Sequence, residues 1–152
     1  MDEVVRLFRR FGWRRRHGLH DEDVARLEAD LSISFPADFR AFLRWSDGGA
    51  GFLGEAYVSI LSAKDLRDAN NDEFRAFFPR LVRIGGNGGL EGYCLDYRAD
   101  VAHPSVVAID LNNSAADSYW PLGTNFTQAM QSLSVAGDPW PPGADPEQRP
   151  TP

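Results

Sequence analysis

His17, His20 and Asp21 place two imidazoles and a carboxylate close together along the chain. These groups are ligands that zinc accepts. Their spacing is that of a loop, however, and the third histidine, His103, lies far along the chain before Pro104. We therefore interpret the histidines as solvated or hydrogen-bonded side chains, and the sequence predicts no metal site.

Cys94, the single cysteine of the chain, would be a nucleophile if a histidine activated it. One cysteine excludes an internal disulfide and a cysteine-based zinc site. Cys94 falls in the middle of a predicted strand, where a free cysteine ordinarily serves as a small buried hydrophobic residue. No Cys-His motif accompanies it, so we predict a structural role.

Two carboxylates, Asp96 and Asp110, have the type needed for general acid–base catalysis. Acidic residues at strand ends more often form turns or carry surface charge. Because nothing in the sequence supplies a nucleophile, a base and an orienting group together, we predict that the protein is not an enzyme.

The glycine-rich run Gly85-Gly86-Asn87-Gly88-Gly89 has the composition of a phosphate-binding loop. Such a loop continues through Lys and Ser or Thr into a helix. Here Leu90-Glu91-Gly92 follows and a strand comes next. The run is therefore predicted to be a hairpin turn, and no cofactor is expected.

Charged residues are distributed unevenly along the chain. Residues 1–16 carry six arginines against two acidic residues, a net charge of +4, while the remainder carries −10. An acidic body repels nucleic acid and attracts basic partners. Val4, Leu7, Phe8 and Phe11 lie at helical spacing, so we interpret the arginines as the solvated face of a packed helix in preference to a nucleic-acid site.

The elements that would position these residues follow from periodicity, caps and turns. Helices are predicted over residues 4–11, from the N-cap Asp21, after Pro36, from Ser62 to Ala69, and after Thr124 or Asn125. Strands are predicted over residues 56–61, 81–84, 91–97, 105–110 and 118–122. Helices at both ends with consecutive strands between them favour an α+β fold.

The 152 residues are 43% hydrophobic, enough for one core, and Phe39, Phe42, Leu43, Tyr93, Leu95 and Phe126 are predicted in it. We expect an Arg-rich segment over 1–20, one domain over 21–136 and a Pro-rich tail over 137–152. The sequence lacks a secretory signal pattern and a long apolar run, so a cytoplasmic location is expected.

Several short segments occur in a distinctive order: LEADL (27–31), FPADFRAFL (35–43), DGG (47–49), LSAKDL (61–66), IGGNGG (84–89), YCLD (93–96) and NFTQAM (125–130). In this order they resemble the SUKH superfamily of Smi/Knr-like proteins, over roughly residues 22–134. Phe35 stands where the family usually has Leu, and Asp47 where Asn is common. The resemblance implies a mostly antiparallel sheet of about four to six strands with helices packed on one face.

The resemblance also implies a function. Many bacterial members are immunity proteins, which bind and neutralise the toxin domains of polymorphic toxin systems, often nucleases with basic surfaces. The acidic body suits such a partner. We therefore expect a non-catalytic protein whose partner is a basic toxin domain, with no nucleic acid and no membrane. The alternative is a regulatory or scaffold module of the same fold with another protein partner.

The partner is expected on the open face of the sheet and the loops at its rim, because loops tolerate the variation that specificity requires. Phe52 and Trp120 are candidate anchors. The predicted contact residues are Asp47, Phe52, Glu55, Asn70, Asn71, Asp72, Glu73, Asn87, Glu91, Asp110, Asp117 and Trp120.

Overall fold

The central element of the fold is one antiparallel sheet in which each strand pairs with the next along the chain. We analysed a computed structural model that describes residues 2–112 and 119–137. Within those residues the strands are β1 (Gly49–Leu53), β2 (Ala56–Ile60), β3 (Leu81–Gly86), β4 (Glu91–Asp96), β5 (Ser105–Asp110) and β6 (Tyr119–Gly123), in that order across the sheet. The α+β prediction is confirmed.

The helices formed by the described residues are α1 (Glu3–Arg10), α2 (Asp21–Leu31), α3 (Ala37–Trp45), α4 (Ala63–Ala69), α5 (Asp72–Phe77) and α6 (Phe126–Ala136). Side-chain caps begin three of them: Ser62 accepts a hydrogen bond from the Asp65 N–H, Asn71 from Phe74 and Asn125 from Gln128. These bonds satisfy amide groups that have no partner inside the helix. Helix α5 was not predicted.

The first strand was also missed by the sequence analysis. Its residues, Gly-Ala-Gly-Phe-Leu, have little intrinsic strand propensity, and the glycines were read as the stop of the preceding helix. The strand exists because it pairs with β2 through the two-residue turn Gly54-Glu55. Gly49 cannot be replaced without strain, since its φ is 127° and a Cβ there would lie 2.9 Å from Trp13 Nε1.

Helix α1 contributes directly to the main core. Phe8 is fully buried, with its ring centroid 4.6 Å from that of Phe42, 4.9 Å from Trp13 and 6.1 Å from Phe126. The arginines Arg6 and Arg10 lie on the exposed side of the same helix. The N-terminal residues therefore complete the core of the domain on one side and present their charge to solvent on the other.

The sheet has two differently covered faces. Helices α1–α4 and α6 pack on one face, which we call the inner face, and the six predicted core residues are all fully buried there. On the opposite, outer face, Leu81, Cys94, Val107 and Ile109 form a second small cluster. Side chains alternate along a strand, so the central strands bury residues on both faces. Phe74 and Phe78, from α5 and its C-cap, pack on this cluster and partly cover the outer face.

Replacing a buried ring of the inner-face core should destabilise the protein strongly. We expect Phe42→Ala and Phe8→Ala each to lower the free energy of unfolding by about 3 kcal/mol, because each leaves a cavity among rings that cannot fully collapse. The measurement is urea denaturation followed by tryptophan fluorescence. Phe52→Ala is the control: its side chain is 60% exposed, and its loss should cost under about 1 kcal/mol. If Phe8→Ala and the parent unfold at the same urea concentration, helix α1 does not pack on the core as described.

Candidate functional site

Apolar side chains are exposed on the outer face of the sheet. Phe52 on β1 is 60% exposed and packs edge-to-face on Tyr57 of β2, with 5.3 Å between ring centroids. Their neighbours Leu53 and Val58 point the other way and are fully buried in the main core. Tyr57 is half-buried and supports the exposed Phe52 ring. An exposed aromatic side chain held in this way is suited to anchoring a partner, because little side-chain entropy is lost on binding.

Three more exposed apolar residues lie on this side of the molecule or at its rim: Phe77 at the end of α5 (50% exposed), Leu90 in the turn between β3 and β4 (48%) and Tyr119 on β6 (37%). Tyr119 belongs to the outer face because it lies opposite Ile109 in the β5–β6 register. We call Phe52, Tyr57, Phe77, Leu90 and Tyr119 the outer-face apolar residues.

A fixed guanidinium lies beside Tyr119. Arg98 donates from Nε and Nη2 to the two carboxylate oxygens of Asp96, at 2.9 and 2.8 Å, and its guanidinium carbon lies 3.8 Å from the centroid of the Tyr119 ring. Burial opposes ionisation of Asp96, but the bonds from Arg98 prevail and hold the pKa of that carboxyl below its usual value. Asp96 is therefore held ionised in an ion pair, whereas a general acid or base works best with a pKa near the operating pH.

The predicted contact residues divide by exposure. Phe52, Glu55, Asn71, Asp72 and Glu73 are exposed, and Asp47, Asn87 and Asp110 are half-buried. Asn70, Glu91 and Trp120 are buried, with 5%, 2% and 8% of their surface exposed, so they offer a partner almost no surface. Asp117 lies outside the described residues.

Strand alternation explains two of the buried positions. Glu91 has the same parity along β4 as Tyr93 and Leu95, which line the inner face. Trp120 lies opposite Ala108 in the register, also on the inner face. The sequence analysis expected Glu91 to be accessible beside the glycine-rich turn and Trp120 to be accessible as an anchor within the predicted strand 118–122. Both side chains are buried, so neither is accessible in this way.

Asn70 is buried because its side-chain amide hydrogen-bonds to the edge of β3 at Arg83, beyond the residues that pair with β2. Its Nδ2 donates to the carbonyls of Leu66 and Arg83, at 2.8 and 2.9 Å, and its Oδ1 accepts from the Arg83 N–H at 2.7 Å. It thereby satisfies both backbone groups of Arg83 on β3 and ties α4 to the sheet. Asn70 is a structural residue.

Three of the half-buried polar residues hold loops in place. Asp47 Oδ1 accepts from the Ala63 N–H at 2.8 Å, at the start of α4. Asn87 Oδ1 accepts from the Gly89 and Glu91 amides within the β3–β4 turn, the hairpin turn that the glycine-rich run predicts. Asp110 Oδ1 accepts from the Asn112 N–H at 2.9 Å. The bonds of Asp47 and Asn87 therefore fix the backbone before α4 and in the β3–β4 turn.

The candidate metal and nucleophile residues are not assembled into a site. His17 and His20 are 6.3 Å apart between ring centroids, and Asp21 forms an ion pair with Arg44. Over residues 2–112 and 119–137, no group of three or more His, Cys, Asp or Glu side chains is placed to hold a metal ion. Cys94 is fully buried on the outer face of the sheet, within the cluster that α5 covers.

Sequence reasoning missed Tyr57, Phe77, Leu90 and Tyr119 as candidate contacts. For Tyr57 a signal was present, since alternation along the predicted strand over residues 56–61 places its side chain on the opposite face from that of Val58. Phe77 and Tyr119 could not be found in this way, because the register of β6 and the existence of α5 come from the tertiary structure.

The chain matches a known protein family over most of its length. The family model of the SMI1 / KNR4 family (SUKH-1) matches residues 18–132. No curated protein matches the chain. Within the described residues, no helix is both long and apolar enough to cross a membrane.

Cys94 should be unreactive while the protein is folded. Burial raises the pKa of its thiol well above the usual value, so the nucleophilic thiolate is absent at neutral pH. We expect no reaction with a chromogenic disulfide reagent at pH 8 in buffer and one equivalent of reaction in 6 M urea. Rapid reaction of the folded protein would show that the outer face opens at α5.

Proposed function

Because the chain belongs to the SMI1 / KNR4 family (SUKH-1), we propose that it is a non-catalytic immunity protein that binds and neutralises a toxin domain. The partner would be a basic protein surface, such as that of a nuclease toxin. The observation that carries this proposal is the outer face of the sheet, where exposed aromatic side chains lie among carboxylates and rigid turns. Family membership supports protein binding, and this face suggests where it occurs.

The polar residues around this face have the charge that a basic partner requires. Glu55 lies exposed in the β1–β2 turn, two residues from the half-buried Tyr57 and three from the exposed Phe52. Asp72 and Glu73 lie exposed in the first turn of α5, the helix that rests on the same face. Carboxylates at the rim accelerate encounter with a basic surface, while a central aromatic side chain supplies much of the binding energy.

Neutralisation by this arrangement needs no chemistry from the bound protein. A toxin domain held by its basic, substrate-binding surface is blocked because the immunity protein occupies the place of the substrate. The hydrogen-bonded β3–β4 turn around Asn87 favours such a role, since a surface that is ordered before binding loses little entropy when the complex forms.

The test is protection of cells that express the toxin domain encoded beside this chain. We expect Phe52→Ala to weaken binding by about 2 kcal/mol or more, and Glu55→Lys, Asp72→Lys and Glu73→Lys to slow association at low salt. Glu22→Lys is the matched control for the charge reversals, because its side chain is exposed but lies on α2, a helix of the inner face. Binding is measured by surface plasmon resonance with the purified domain.

Full protection and unchanged affinity for all four outer-face variants would exclude this face as the interface. Failure of the parent protein to bind or protect against the neighbouring toxin domain would exclude the immunity function.

A further inference from the structure

The outer edge of β1 carries backbone groups that have no partner. Leu53 and Ala56 flank a two-residue turn, so they form a hydrogen-bonded pair, and such pairs recur at every second residue as Gly51–Val58 and Gly49–Ile60. The N–H and C=O groups of Ala50 and Phe52 therefore point away from β2. Within the described residues, no hydrogen bond reaches these four groups.

The two edges of the sheet are protected differently. The far edge strand, β6, contains Pro121, which has no N–H to offer a neighbouring strand. Strand β1 contains neither a proline nor a charged residue, although such residues commonly prevent pairing at an edge. The edge at β1 is thus the one on which a further strand can form a ladder.

A positively charged cleft adjoins this edge. It has a volume of about 310 Å³ and is lined by residues that include Arg14, Arg16, Ala50 and Ser59. Asp65 is the carboxylate among the described lining residues, which leaves the cleft with a net positive charge.

The backbone that carries the two arginines is fixed. Trp13 Nε1 donates to the Gly48 carbonyl at 3.4 Å, Arg15 Nε donates to the Trp45 carbonyl, and the Arg16 N–H donates to Ser46 Oγ at 3.0 Å. Arg15 is thereby used internally, whereas Arg14 and Arg16 line the cleft. Among the described residues, no carboxylate pairs with either guanidinium.

We propose that β1 is a strand-addition site for an extended segment of a partner protein that carries a carboxylate side chain. The segment bonds to the outward backbone groups of Ala50 and Phe52, about 4.8 Å from β1. Its carboxylate enters the cleft between Arg14 and Arg16, where charge-assisted hydrogen bonds to guanidinium groups are strong. The side chains that it places on the outer face lie beside Phe52. The proposal does not depend on the partner being a toxin.

The experiment selects linear nonapeptides from a displayed library against the full-length protein and measures the binding of synthetic copies by fluorescence polarisation. We expect the selected peptides to alternate β-branched or aromatic residues and to share one Asp or Glu. Replacing that acid by its amide should weaken binding about tenfold. N-methylation of a peptide residue whose N–H faces β1 should abolish binding of the peptide. N-methylation of the alternate peptide residues, whose N–H groups point away from β1, should have little effect.

Two pairs of protein variants locate the site. Ala50→Pro removes an outward N–H and should abolish binding, whereas Ala50→Val keeps it and should bind as the parent does. Arg14→Glu with Arg16→Glu should weaken binding of the acidic peptides at least about tenfold. Arg6→Glu with Arg10→Glu changes the net charge equally on the exposed side of α1 and should have a much smaller effect. Circular dichroism checks that each variant is folded. If Ala50→Pro does not fold, the N-methylated peptides test whether the outward backbone groups of β1 bind the segment.

The proposal is overturned if the library yields no binder. It is also overturned if the selected peptides bind Ala50→Pro and the Arg14/Arg16 variant as tightly as the parent, or if N-methylation has the same effect at every position. Toxin protection is a separate readout, so a failed immunity function with intact peptide binding refutes the former proposal and supports this one.

Discussion

Phe42 packs against Phe8, Phe39 and Phe126, and these contacts join helices α1, α3 and α6 over the inner face of the sheet. The ring centroids lie 4.6 to 6.5 Å from that of Phe42. Each aromatic contact adds about 0.5–1.5 kcal/mol to the burial of apolar surface. Since α1 comes from the first residues of the chain and α6 from the last described ones, this cluster closes the domain by joining its two ends.

Five of the six helices formed by the described residues pack on the inner face of the sheet, so α5 is the helix that covers part of the outer face. The central strands β4 and β5 bury residues on both sides, and α5 supplies Phe74 and Phe78 over Cys94 and its neighbours. The cover given by α5 lies on β3, β4 and β5, so Phe52 on β1 stays exposed and Tyr57 on β2 is only half-buried. The exposure of Phe52 is therefore a consequence of where α5 lies, whereas the open edge follows from the position of β1 at the end of the strand order.

The distribution of charge reflects the same arrangement. Arg14 and Arg16 line the cleft beside β1, while Asp72 and Glu73 lie exposed on α5, the helix that packs on the outer face. The molecule therefore carries basic and acidic side chains on two distinct parts of its surface. Opposite charges on distinct parts of a surface favour one orientation of a partner over others.

The sequence by itself determined the α+β class, the family resemblance and the inward-facing residues Phe39, Phe42 and Phe126. These follow from local periodicity, caps and turns, which act over a few residues. Only the tertiary structure decided that β1 is a strand, that α5 covers Cys94, and that Glu91 and Trp120 point inward. A strand of glycine and alanine depends on its partner for stability, and the face to which a side chain belongs depends on register. Register arises from pairing between distant segments, so the exposure of the candidate contact residues could not be predicted from local sequence.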